Sequence, residues 1–209
     1  MMPPPKTRRF RSILCPIDAS PQSAKTLRYA EALARTCGGR VTAVAGVSDP
    51  AVIVAHARAV KADVVVLGAG VGCGRSHGAV ESPLLSVLEK FRGAVLVVPQ
   101  RAPMPPGGWP SRNIAAAVGD DMQRRRQIAS AARMAEGFGA WLSLVPSRPV
   151  TNARPRPELF LYPLTGAGRA RMREADGVEA FVCAAAMPVL VIRAAGPRGA
   201  RFRGITRAA

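Results

Sequence analysis

The chain has 209 residues, 48% of them hydrophobic and 21% charged, which excludes a disordered tail and suits one fair-sized domain or two small ones sharing a core. Its formal net charge is +17, but residues 1–11 hold four basic and no acidic side chains and residues 193–209 hold five and none, so the excess is concentrated at the ends. The longest apolar runs, Ala94 to Val98 and Val182 to Ala186, are far shorter than the roughly 20 residues of a membrane-spanning helix.

The amino terminus, MMPPPKTRRFR, has neither an apolar h-region nor a small-residue cleavage site, so export is not expected. From Arg11 to Asp18 an apolar strand is predicted, then a helix with Leu27, Ala30 and Ala34 on one face, ended by Gly38. A strand from Val41 to Val47 follows, and Asp49-Pro50 starts a helix whose apolar stripe is Ile53, His56, Ala57 and Val60. The run Ala62 to Gly68 reads as a third strand and leads into a loop with Gly68, Gly70, Gly72, Gly74 and Gly78 around Arg75 and His77. Ser82-Pro83 then starts a helix carrying Leu84, Val87, Leu88 and Phe91, and Ala94 to Pro99 reads as a buried strand. Gln100 to Ser111 (QRAPMPPGGWPS) contains four prolines and two glycines and marks a linker, with Trp109 available to dock on the body.

The opening then recurs. Arg112 to Asp121 repeats the first strand 101 positions on, and Ile128, Ala131 and Ala135 repeat the helical stripe before Gly139. Strands at Trp141–Val145 and Glu158–Tyr162, a weaker stripe at Val178, Phe181, Val182 and Ala185, and a closing strand at Met187–Arg193 complete it. The expected organisation is a first domain at 10–100, a linker at 101–111, a second domain at 112–193, and basic tails at 1–9 and 194–209. Near-continuous apolar strands alternating with amphipathic helices imply mostly parallel sheets covered on both faces. Ligands of such sheets sit beyond the carboxyl ends of the strands, here after Ile17, Val47 and Leu67, and after Val118, Val145 and Tyr162.

Cys15, Cys37, Cys73 and Cys183 form no CxxC pair and have no neighbours at metal-ligand spacing, so reduced cytoplasmic thiols and no metal are expected. The only histidines are His56 and His77, and no catalytic signature occurs. The sequence predicts no catalytic residues and no enzyme.

In their order, Ile13-Leu14-Cys15-Pro16-Ile17-Asp18-Ala19-Ser20, Ala32-Leu33-Ala34, Ala62 to Gly68 and Ala94 to Pro99 resemble the universal stress protein domain. The second half is similar but more eroded. The resemblance spans about residues 10 to 193 and implies two abbreviated Rossmann-like, adenine nucleotide alpha hydrolase-like α/β halves, tandem and degenerate. In ATP-binding members an Asp after the first strand meets adenine and a Gly-x2-Gly-x9-Gly-Ser/Thr loop wraps the phosphates. Asp18, Gly68 and Ser82 match this pattern, whereas Val71 and Glu81 stand where glycines would let the backbone approach phosphate. No cofactor is therefore expected, with ATP or AMP, held by Asp18, Gly68, Gly70, Arg75 and Ser82, as the alternative.

Two of those residues have plain structural readings as well: Ser82 as a helix cap before Pro83, and Asp18 as the anchor of its turn. A full domain of the family also has a helix and a strand where Ser48-Asp49-Pro50 alone joins Val47 to Ala51. In the second half only Asp120 or Asp121 matches the adenine contact, so that half is expected to be structural.

Three functions follow: a stress-response regulatory or scaffold protein, an adenine-nucleotide binder, and a nucleic-acid-associated protein using the tails and Arg124-Arg125-Arg126. Aromatics make up 5% of the chain and do not interleave with the basic clusters, so stacking platforms are missing. The two closing strands are expected to pair antiparallel, making an internal pseudo-dimer with the linker passing over its outside. A homo-oligomer or another protein is the further partner expected.

Overall fold

Short polar signals start two of the helices, and glycines end two. Ser20 accepts the N–H of Ser23 at 3.2 Å just ahead of Pro21, and Asp49 accepts the N–H of Ala51 at 2.8 Å ahead of Pro50, each satisfying a donor that the first turn leaves open. Gly38 and Gly139 stop their helices at φ +66° and +64°, a left-handed turn that costs glycine nothing. The computed structural model describes residues 10–69, 83–110, 113–119, 123–146, 157–165 and 169–194. Its elements are β1 (Ser12–Ile17), α1 (Pro21–Cys37), β2 (Arg40–Ala45), α2 (Pro50–Ala59), β3 (Val64–Gly68), α3 (Pro83–Lys90) and β4 (Ala94–Val98). They continue as β5 (Asn113–Val118), α4 (Arg124–Phe138), β6 (Trp141–Pro146), β7 (Leu159–Leu164), α5 (Arg169–Ala184) and β8 (Val189–Arg193).

All eight strands form one sheet in the order β2-β1-β3-β4-β8-β7-β5-β6. Neighbours within each half are parallel. At the middle, β4 and β8 pair antiparallel, Val95 opposite Val191, Leu96 opposite Leu190 and Val97 opposite Val189. The registers of the two halves place Leu96 and Leu190 at corresponding positions, since Val65 lies beside Leu14 and Val95 just as Phe160 lies beside Ala115 and Val189. Leu96 and Leu190 thus face each other across a local twofold relation.

Alternation of side chains along the strands divides the core between the two faces of the sheet. One face packs Ile13, Val64, Leu96, Ile114 and Leu190 under α1 and α4; the other packs Leu14, Val65, Val97, Phe160 and Val191 under α2, α3 and α5. Arg193 fixes the second layer at the seam, donating from Nη2 to the carbonyls of Leu88 and Phe91 and from Nε to that of Arg92.

The linker does not pass over the outside. Ala102 and Trp109 are 2% and 1% exposed and belong to the α1/α4 layer. The Tyr29 hydroxyl donates to the Pro103 carbonyl at 2.6 Å, the Thr36 hydroxyl to that of Trp109 at 2.7 Å, and the Trp109 indole N–H to that of Glu158 at 3.0 Å. Tyr29 and Trp109 meet edge to face at 4.8 Å. A large aromatic ring gains more from this layer than a proline-rich strap loses by being drawn into it. Coverage on both faces holds for the inner strands, whereas the edges β2 and β6 are largely open, with Trp141 80% and Leu144 44% exposed.

Candidate functional site

At the carboxyl ends of β1, β2 and β3, a cleft of about 460 Å³ is lined by residues including Ile17, Asp18, Gln22, Gly46, Val47 and Gly68. This is where a parallel sheet presents ligands. The sequence directed attention to Asp18 and Gly68, and both are here. Gly70, Arg75 and Ser82 lie outside the described residues, as do Val71, Glu81, His77, Asp120 and Asp121.

Asp18 is tied into its own turn. Its Oδ1 accepts the backbone N–H of Ser20 at 2.9 Å and the hydroxyl of Ser23 at 2.5 Å, while its own N–H donates to that hydroxyl oxygen at 2.9 Å. Hydrogen bonding by Ser20 and Ser23 holds the carboxyl down at about 2 from an ordinary 3.8. The ionised carboxylate braces the start of α1.

Gly68 is explained by packing. A Cβ there would come within 2.8 Å of the Thr26 hydroxyl and 3.0 Å of Gln22 Cγ, so the end of β3 passes under α1 only without a side chain. Gln22, which the sequence reading missed, donates its amide N–H to the Val98 carbonyl at 2.9 Å and ties α1 to β4. Gly46, also missed, turns the chain after β2 at φ +72°; a lone glycine at the carboxyl end of an apolar strand was its signal.

The second half differs at the corresponding place. The β5 and β6 registers put Gly119 where Asp18 stands in the first half. Its N–H is taken by the buried Gln127 side chain at 2.9 Å. No carboxylate occupies that position.

Elsewhere, His56 lies half-buried beside Val52 and Ala59 on α2. Cys15 and Cys37 are buried and Cys183 is exposed. Burial, then the nearby Glu31 charge, pushes the Cys15 thiol up to about 12. Among the described residues no three His, Cys, Asp or Glu side chains gather as a metal site, and no helix is long and apolar enough to cross a membrane.

No family model and no curated protein matches the chain. Solved structures do. A universal stress protein from Archaeoglobus fulgidus DSM 4304 aligns over 88% of this chain and 96% of its own at 12% identity, with a TM-score of 0.59. A protein assigned to the universal stress proteins from Pseudomonas aeruginosa UCBPP-PA14 aligns over 90% and 94% at 14% identity, with a TM-score of 0.55. A functionally unknown protein from Pseudomonas aeruginosa PAO1 aligns over 90% and 94% at 14% identity, with a TM-score of 0.52. One eight-stranded α/β sheet with a matching chain path over nine-tenths of its length gives this protein the fold of the universal stress proteins.

Proposed function

We propose that the protein is a non-catalytic regulatory or scaffold protein of the universal stress protein type, built as an internal pseudo-dimer with a degenerate nucleotide site. The observation that carries this reading is the state of the first-half cleft. The carboxylate that would meet adenine is hydrogen-bonded to Ser20 and Ser23, and the glycine that would open the phosphate loop lies packed against Gln22 and Thr26. Both residues have work in the fold. The twofold register at Leu96 and Leu190 supports the pseudo-dimer, since self-complementary pairing is what joins identical subunits. It is the arrangement expected of two domains that pair within one chain.

The second reading is an adenine-nucleotide binder, favoured by the volume and position of the cleft. Mass spectrometry of the supernatant after heating the purified protein, followed by calorimetry with ATP and with AMP, separates the two. The regulatory reading expects no released nucleotide and a Kd weaker than about 100 μM; binding at about 1 μM, near −8 kcal/mol, overturns it.

A further inference from the structure

The end of the sheet opposite the cleft carries a different chemistry. Here the first-half strands begin, each behind a cation: Arg40 at β2, Arg11 before β1, Lys61 before β3 and Arg92 before β4. Because β8 runs antiparallel to β4, it finishes at this same end with Arg193. Five adjacent strands in the order β2-β1-β3-β4-β8 therefore present a row of cations roughly 19 Å long at ordinary strand spacing. Arg58 and Lys90, from the carboxyl ends of α2 and α3, thicken the row, and together with Lys61 and Arg92 they line a cleft of about 260 Å³ floored by Phe91 and Gly93.

Cations in a last helical turn ordinarily answer the open carbonyls there. At this end the carbonyls with donors are answered mainly by backbone N–H groups and by Arg193, and of the four cations in the cleft Arg58 alone serves one among the described residues. The α2 carbonyls of His56, Ala57 and Arg58 accept the N–H groups of Val60, Ala62 and Lys61. In α3 and just beyond it, Leu88, Phe91 and Arg92 accept from Arg193, and Lys90 accepts from Arg58 at 3.2 Å. None of Arg58, Lys61, Lys90 and Arg92 is ion-paired with a described residue. The nearby carboxylate of Asp63 accepts the backbone N–H groups of Arg11 and Ser12 at 2.7 and 3.0 Å. Four exposed cations thus share one cleft without an ion pair to any described residue, a placement that costs self-repulsion and is complementary to a polyanion.

Two further features fall on this end. The chain joins the described body at Phe10 and leaves it at Ala194, so the termini, with seven basic and no acidic residues in 1–9 and 195–209, are tethered here. The second-half strands end on this side too, and the exposed Arg124, Arg125 and Arg126 at the start of α4 follow β5.

We infer that this end of the sheet is a phosphate-binding surface for the backbone of a nucleic acid, engaged by Arg11, Arg58, Lys61, Lys90 and Arg92. A row of cations suits the regular charge of such a polymer, one phosphate per about 3.4 Å of axis on each duplex strand. With Phe91 buried and no exposed aromatic side chain among the described residues of the row to stack on bases, recognition is through phosphate alone and independent of sequence.

The test is fluorescence anisotropy of a 20-nucleotide oligothymidine against the full chain over a salt series. Binding weakens linearly on a log–log salt plot, and K61Q/R92Q reduces the slope by about 1.4, at about 0.7 for each single-strand phosphate that is no longer neutralised. R28Q/R101Q, which removes as much charge from exposed positions away from this end, leaves the slope within about 0.3 of the parent's. All four side chains are exposed, and unchanged melting curves verify that the variants are folded. Equal weakening in both variants reduces the effect to net charge and overturns the location. Absence of binding at low salt, or binding of inorganic tripolyphosphate but not of the oligonucleotide, overturns the partner.

Discussion

Val97→Asp tests the seam between the halves. Val97 is 2% exposed, lies opposite Val189 in the antiparallel pair and packs under α3 and α5. Losing the valine side chain forfeits about 1.5–3 kcal/mol of transfer free energy, and burying a neutral carboxyl without a partner adds about 1–3 kcal/mol. At pH 7 the folded state must also keep that carboxyl protonated. Its folded pKa lies above the unfolded value of about 3.9, so this contribution favours folding below that value and is lost as pH rises through the folded pKa. Three pH units at about 1.4 kcal/mol each add about 4 kcal/mol at pH 7, and the whole penalty approaches the 5–15 kcal/mol available to a domain. Urea titration followed by tryptophan emission reads the result, because Trp109 is buried and Trp141 is 80% exposed. V97D is expected to be unfolded or barely folded at pH 7, to recover part of its deficit at pH 4, and to be far less stable than V97T at both. A V97D stability within about 1 kcal/mol of V97T at pH 7 refutes a buried seam.

Two other outcomes follow from buried groups. W109A is expected to lose about 3–5 kcal/mol of stability, whereas W109F, which keeps a ring against Tyr29 but gives up the bond to the Glu158 carbonyl, loses about 1–2 kcal/mol; equal urea midpoints for W109A and the parent would show the linker to be undocked. Burial raises the Tyr29 hydroxyl from 10.0 to about 12 and the Cys15 thiol from 9.0 to about 12. Their contributions are complete below pH 9 and are lost between pH 9 and 12 as the unfolded chain releases protons the folded one retains. Y29F is expected to flatten that alkaline decline in a melting series, and an unchanged slope would remove Tyr29 as its cause.

Most of the sheet was legible because its inner strands are apolar runs and its helices carry stripes: Ala30 and Ala34, and their counterparts Ala131 and Ala135, are all buried. The pairing of β4 with β8 was legible too, since a fully apolar strand must find a partner on each side. The route of the linker was not. Four prolines and two glycines speak only of the backbone, and what draws the segment inward is one indole meeting Tyr29 from one half and a Glu158 carbonyl from the other. The site was half legible. Asp18 and Gly68 stand out as residue types, but whether they face a ligand or their own fold depends on Ser23, Gln22 and Thr26, whose positions in sequence carry no sign of that packing. The cationic end was hidden for a different reason: Arg11, Arg40, Lys61 and Arg92 are spread over some eighty positions and meet only because parallel strands all begin on one side.

The antiparallel seam also sets the order in which the chain can be completed. The outer edge of β4 waits for β8, the last strand in the sequence. At translation rates of about 5–20 residues per second, the interval between the two strands leaving the ribosome is on the order of ten seconds. Throughout it, the nascent first half holds a five-residue edge of Ala, Val and Leu without its permanent neighbour, the kind of edge that templates pairing between chains. Crowded polysomes translating this message would bring such edges together before any of them is closed. Protein synthesis slowed within the second half should therefore raise insoluble yield more than the same delay placed after Arg193, although the finished molecule is identical.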